Sequence, residues 1–244
     1  MERCGYEHFH TLRRRRINYI YIFSFCILHR HINMTLSNNF FDLSSFAHKD
    51  LFYSKDFVWT ALNRLKHYFL TLTFGRIKIE LKNNIYFTNK DQVSIGENSH
   101  IDPGVFIEGP CLIGKNTVIR HGAYIRPYSI IGDRCVIGHC SEVKHSIMLN
   151  DSKAPHFNYI GNSIIGNYVN LGAGVKCANF RFDGGPITVS FGGVSYHTNM
   201  NKLGSIIGDF TQVGCNAVLN PGVLIGKKSL IKPCEYVKRS IMEK

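Results

Sequence analysis

Residues 95–143 read IGENSH IDPGVF IEGPCL IGKNTV IRHGAY IRPYSI IGDRCV IGHCSE V. Nine aliphatic residues fall at intervals of six without a miss: Ile95, Ile101, Ile107, Ile113, Ile119, Ile125, Ile131, Ile137 and Val143. A helix repeats about every 3.6 residues and a strand about every 2, so neither explains the spacing. A period of six is the hexapeptide signature of a β-helix, an all-β solenoid of short parallel strands. Three hexads close one triangular coil of 18 residues, so position n lies beneath n+18. Each aliphatic residue points inward and stacks on its equivalents. Gly often follows it, as at Gly96, Gly114, Gly132 and Gly138, and the expectation is that these glycines supply turn conformations closed to other residues. The fifth hexad position is small (Ser99, Thr117, Ala123, Ser129, Cys135, Ser141) and fits a tight corner.

The register slips after Leu149, where Ile160 and Ile165 are the next matches, and resumes at Leu171 and Cys177. An insert from about Asn179 to Ser205 interrupts it, and it restarts as Ile207, Val213, Leu219, Ile225, Ile231 and Val237. Loops protrude at such interruptions, and function concentrates on loops held by a rigid scaffold.

Three regions follow. Residues 95–240 form the solenoid. Residues 34–94 form a helical cap and lead-in strand: Phe57, Val58, Ala61, Leu62, Leu65, Tyr68, Phe69 and Leu72 recur at helical spacing, with Asp56 as N-cap, and Ile77, Ile79 and Leu81 alternate. A helix over the open end of the coils would shield the core, and Trp59 belongs to that cap. Residues 1–33 read as a non-native or disordered extension: Arg13–Arg16 precede an apolar run, Ile17–Leu28, too short to span a bilayer.

The formal net charge is +12; residues 1–33 hold six Arg against two Glu, leaving +8 elsewhere. That surplus suits an anionic ligand such as a phosphorylated sugar or coenzyme A. The basic residues are dispersed and no nucleic-acid-binding motif appears, so nucleic acid is not the expected partner. Eight Cys show no CxxC, and Cys111, Cys135 and Cys177 take interior positions, which fits reduced thiols in the cytoplasm. His121 and His139 are 18 apart and stack, but no third His completes a zinc triad, so a hydro-lyase is disfavoured.

The coil rule also stacks Arg126 on Lys144, two outward cations that an anion would join. With Glu142-Val-Lys144, His156-Phe-Asn-Tyr159-Ile-Gly, Val169-Asn170-Leu-Gly-Ala173-Gly and Cys177-Ala-Asn179, the chain resembles the acetyltransferase half of bacterial bifunctional N-acetylglucosamine-1-phosphate uridyltransferase/glucosamine-1-phosphate acetyltransferases. Asn179-Phe-Arg-Phe-Asp183, Lys202-Leu-Gly-Ser-Ile-Ile-Gly208 and Asn220-Pro-Gly222 look closer to archaeal-type sugar-1-phosphate nucleotidylyltransferase/acetyltransferases.

The resemblance implies a left-handed β-helix, a homotrimer with sites between subunits, and acetyl-CoA-dependent N-acetylation of a hexosamine 1-phosphate in UDP-N-acetylglucosamine biosynthesis. It implies that Arg126 and Lys144 hold the sugar phosphate, that Tyr159 and Asn170 position the sugar, and that His156 is the general base with Glu142 as its orienter. Asn179 would help place the amine or acetyl group, and Ala173 and Cys215 would line the acetyl-CoA channel. No metal is needed. Arg181 and Lys202 stand as candidates for a family Lys without a direct counterpart here. No Gly-rich phosphate loop marks a uridyltransferase half. The alternative is a non-catalytic trimeric solenoid kept for its architecture.

Overall fold

In the computed structural model, which describes residues 35–242, the hexads wind into a left-handed parallel β-solenoid of about eight coils. The expectations for residues 1–33 lie outside the described residues. Leu36–Lys244 form one compact unit. Its coils carry three parallel sheets of eight, seven and seven strands. The first, here the site face, includes Tyr124–Ile125, Glu142–Lys144, Tyr159–Gly161 and Lys176–Cys177. The second, the covered face, includes Ser129–Ile131, Ile147–Met148 and Ile164–Ile165. The third includes Val136–His139, Lys153–His156 and Asn170–Leu171. All nine aliphatics of the opening repeat are buried in one continuous core. Among the described residues, no helix is long and apolar enough to cross a membrane.

The register places Ile125 beside Val143, 18 residues on, but Val143 beside Ile160, only 17 on. Ile131 pairs with Met148 and Met148 with Ile165, so the inward residue of that coil is Met148 and the slip falls before Leu149. The coils lose one residue between Val143 and Met148 and another between Ile160 and Ile165. Both losses fall at the corner joining the site face to the covered face. The insert leaves from the same corner, after Cys177, which pairs with Leu219 across it. It carries a hairpin, Thr188–Phe191 with Val194–His197. The two-residue turn Gly192-Gly193 has φ of 58° and 79°, which suits the twist of a short hairpin and favours glycine at both positions.

The glycines after the inward aliphatics work differently from expectation. Gly114 is not in the left-handed region. A Cβ there would lie 2.5 Å from the carbonyl carbon of Gly132 in the next coil. Close approach of coils, rather than turn geometry, excludes a side chain. The left-handed corner positions are taken instead by residues such as Asn98, Asn116 and Arg134. The small fifth residues do sit inside the corners: Thr117 Oγ1 donates to Gly132 O at 2.8 Å and accepts from Cys135 N at 3.0 Å.

A helix forms at Thr60–Leu70 and buries Ala61, Leu62, Leu65 and Phe69. Asp56 does not cap it; Asp56 pairs with Arg64 one turn in. Nor does the helix close the open end of the coils. From the second coil on, the outward residues of the covered face are apolar and buried: Leu112, Ile130, Ile147, Ile164, Ile206 and Leu224, a row in register that is not part of the interior core. Residues 36–74 lie along this row as a strap. At one corner Asp209 accepts from Asp42 N at 2.6 Å, Asn167 Nδ2 donates to Asp42 O at 2.9 Å, and Asn150 Nδ2 donates to Ser45 O at 3.1 Å. At the other corner His145 Nε2 lies 3.2 Å from Leu62 O, and Phe69 meets Tyr128 edge-on. Trp59 is buried, stacked on Phe57 at 4.6 Å and near Tyr196 of the insert hairpin. Ile77 bridges Ile95, and Ile79 and Leu81 rest against the core, so the lead-in runs onto the first coil.

Two imidazoles of the strap interface are held neutral. Burial lowers the pKa of His48, against a smaller opposing effect of Asp133, and burial likewise lowers that of His145, against the hydrogen bond to Leu62 O and helped by Lys66 and Lys144. The unfolded chain, with ordinary imidazoles near about 6.5, binds these protons more readily. Stability from both groups is therefore fully present above that pH and falls as pH drops below it. Melting temperatures measured from pH 7.5 to 5.5 should decline for the native chain and decline less for the His48→Gln, His145→Gln double variant.

Candidate active site

The corner that lost residues and gained the insert also forms a cleft of about 520 Å³. Its floor is the outward edge of the site face, Glu108, Arg126 and Lys144, with corner residues Tyr128, His145 and Asn162. The end of the insert, Asn199–Lys202, forms one wall, and Asn63 and Lys66 of the helix form another. Arg126 Nη1 donates to Glu142 Oε1 at 2.8 Å, both side chains being about one-third exposed. The Nε of Arg126 is buried with no acceptor among the described residues. Burial lowers the pKa of Lys144, and the charges of Arg126 and Lys202 push it the same way. No carboxylate pairs with Lys66, Lys144 or Lys202 among the described residues. A buried donor without a partner and cations that repel one another are chemically what a bound anion would resolve.

The expected site residues separate into two groups. Arg126, Glu142, Lys144, Tyr159 and Asn179 gather on the site face. Tyr159 OH donates to Asn179 Oδ1 at 3.4 Å, and Asn179 Nδ2 donates to Asn162 Oδ1 at 2.7 Å, so Asn179 is a fixed, buried amide. Burial, and next the charge of Glu142, raises the pKa of the Tyr159 phenol. Gly161 permits this cluster, since a Cβ there would meet Asn179 Nδ2 at 2.6 Å.

The second group lies at the opposite corner and on the third face. His156 is exposed on that corner, its backbone N donating to Asn158 Oδ1 at 3.1 Å and its carbonyl accepting from Gly174 N at 3.0 Å. Ala173 and Cys215 continue the same column, with Ala173 O accepting from Asn216 N at 2.8 Å. Asn170 pairs in register with Lys153 and Gln212 on the third face, away from Arg126. Glu142, expected to orient His156, instead holds Arg126, because the register sets it beside Tyr124 and Tyr159 rather than at the corner.

The His121 and His139 rings stack with centroids 5.8 Å apart, each Nδ1 on a backbone carbonyl. Among the described residues, no three His, Cys, Asp or Glu side chains converge as metal ligands do. Arg181 is engaged by Asp183, its Nε at 2.8 Å from Oδ1, and does not line the cleft; Lys202 does. Sequence reasoning missed Asn63, Lys66, Glu108 and His145. The helix pair lies some sixty residues before Arg126, and no spacing rule relates a strap to a coil.

Comparison with known proteins bears on the coils. Residues 107–199 match the family described as GMPPB C-terminal domain. A bifunctional sugar-1-phosphate nucleotidylyltransferase/acetyltransferase of Sulfurisphaera tokodaii is 40% identical over 100 residues, 41% of this chain and 25% of the relative. The bifunctional protein GlmU of Methanococcus maripaludis is 45% identical over 91 residues, 37% and 22% of the two chains. This chain thus spans about a quarter of the length of the curated relatives it matches. Among solved structures, the UDP-N-acetylglucosamine acyltransferase of Francisella novicida superposes with a TM-score of 0.50 at 19% identity, covering 66% of this chain and 63% of that one, which bears on the fold alone. Over about 91–100 residues, the chain is thus similar to GlmU-type and archaeal bifunctional sugar-1-phosphate nucleotidylyltransferase/acetyltransferases.

Proposed function

We propose that the chain is an acyltransferase that uses acetyl-CoA to N-acetylate a hexosamine 1-phosphate, with glucosamine 1-phosphate as the first acceptor to test. The observation that carries this reading is the cleft where Arg126, bonded to Glu142, faces Lys144 and Lys202, neither of which pairs with a carboxylate among the described residues, with Glu108 the one acidic side chain in the cleft lining. In the proposed reaction the sugar amine attacks the thioester carbonyl, a C–N bond forms, the C–S bond breaks, and coenzyme A leaves as the thiol. His156 takes the proton from nitrogen and returns it to the leaving thiolate, as imidazole can near neutral pH. Asn179, with one amide N–H engaged by Asn162, keeps its second for the acceptor or the acetyl oxygen. Tyr159 and Asn170 position the sugar, and Ala173 and Cys215 line the acetyl-CoA channel.

The split of these residues between one face and the next corner supports a homotrimer, in which a neighbouring copy would bring the His156 corner to the phosphate cleft. The buried, unpaired thiols Cys111, Cys135 and Cys177, raised by burial to about 12, about 11 and about 12, suit a reducing cytoplasm. The product would feed UDP-N-acetylglucosamine biosynthesis, with uridylyl transfer done elsewhere.

A thiol-release assay with acetyl-CoA against a panel of amino sugars and their phosphates tests the reading. Turnover should require a phosphorylated acceptor. Lys144→Ala should raise the KM for sugar phosphate by roughly 10–150-fold, equivalent to about 1.5–3 kcal/mol for a lost charge-assisted hydrogen bond, with little change for acetyl-CoA. Equal losses with unphosphorylated glucosamine would contradict the assignment.

A further inference from the structure

We infer that the helix Thr60–Leu70, which precedes the coils in sequence, completes the phosphate cleft through Lys66, and that the finished cleft is matched to the dianionic form of a phosphate monoester. This rests on the cleft being the acceptor-phosphate site proposed above. The strap holds Lys66 at the cleft wall: Leu62, one turn earlier, is fixed by His145, and Phe69, one turn later, by Tyr128. The Nζ of Lys66 lies 5.6 Å from the centre of the Tyr128 ring, a cation–π distance, and Tyr128 lines the same cleft. Its charge reaches the floor, since Lys66 is one of the groups that disfavour protonation of His145.

The charge balance then fixes the ligand. Lys66, Arg126, Lys144 and Lys202 supply four positive charges; Glu108 on the cleft floor and Glu142 on Arg126 supply two negative ones. His145, held neutral, adds none. The surplus is two positive charges. A phosphate monoester carries about −1.5 to −2 near pH 7, whereas a phosphodiester carries about −1. Without Lys66 the surplus would be one, and a monoanion would neutralise it equally well. Lys66 is thus a binding residue contributed from outside the hexad region, and the strap that covers an apolar face also sets which phosphate the cleft accepts.

The test is binding measured by calorimetry on the full chain, with glucosamine 1-phosphate, its methyl phosphodiester and inorganic phosphate as probes. The variants are Lys66→Gln, Lys66→Arg and Lys144→Gln. Lys66 is exposed, so its variants should fold, and melting curves check this. Lys66→Gln should weaken glucosamine 1-phosphate at least tenfold, weaken the diester by less than threefold, and be rescued by Lys66→Arg. Inorganic phosphate should follow the monoester, with lower affinity because it lacks sugar contacts. If Lys144→Gln weakens the monoester tenfold and Lys66→Gln stays within twofold of native, the helix is not part of the site and the inference fails while the functional reading stands. If neither variant changes binding of any probe, both fail.

Discussion

Replacing His156 by Ala is expected to lower turnover by about 10²–10⁴-fold, the usual range for removal of a general base, with the fold intact. The two parts of that expectation come from separate observations. The backbone at His156 is fixed by Asn158 and Gly174, while the exposed ring adds nothing to the core. Removing it should therefore leave the melting temperature nearly unchanged. An amine must lose a proton as it becomes an amide, and His156 sits where the chain exposes an imidazole beside the site face. Steady-state rates with acetyl-CoA and glucosamine 1-phosphate, paired with melting curves, measure both parts. A variant retaining a third or more of native turnover would remove His156 from the mechanism.

The second large effect falls on the covered face. Ile147 is fully buried between Ile130 and Ile164, yet points away from the solenoid interior. Ile147→Asp would set an unpaired carboxylate beneath the strap, at a cost of about 3–5 kcal/mol. The inward Met148 beside it is untouched, so the coils should persist while the strap lifts. Trp59, the single Trp of the chain, reports this directly. It is buried against Phe57, and its emission should shift to the red as the strap detaches. Phosphate binding should weaken with it, since Lys66 leaves with the helix. If Trp59 emission and phosphate binding stay native while the variant melts normally, the strap is not held by this row.

The interior of the solenoid was legible because each hexad writes its inward residue at a fixed interval. Ile95 through Val143 needed only counting. One further regularity passed unnoticed. Leu112, Ile130, Ile147, Ile164, Ile206 and Leu224 each precede an inward aliphatic, and only on this face do such residues form an unbroken buried aliphatic row. Their counterparts elsewhere include polar residues such as Glu142, Lys153 and Asn170, so the contrast marks a face that needs a cover. The helix was visible from its own period, but an amphipathic helix says only that it packs, not where.

The site was legible in proportion to its dependence on the repeat. Arg126 and Lys144 follow from stacking. Glu142, expected beside His156, instead holds Arg126, because two-residue spacing along a strand says nothing about how far a long side chain reaches toward the next coil. Lys66 and His145 were invisible: one lies on a distant helix, and the other is a turn residue whose neutral state depends on the strap above it.

The losses of one residue near Lys144 and near Asn162, and the long excursion after Cys177, share a single edge of the prism. Lengths at that edge vary without disturbing the phase of the other two, since each circuit returns to the same inward residue before the next begins. The prism thus behaves like a bound volume whose pages may be trimmed or extended at one margin while the spine stays stitched. Exchanging residues 180–204 for another excursion would replace Asn199–Lys202 wholesale and leave Arg126, Lys144, His156 and Asn179 where they stand. Diversification of acceptor choice in such a scaffold then requires no change to its core, only a change of margin.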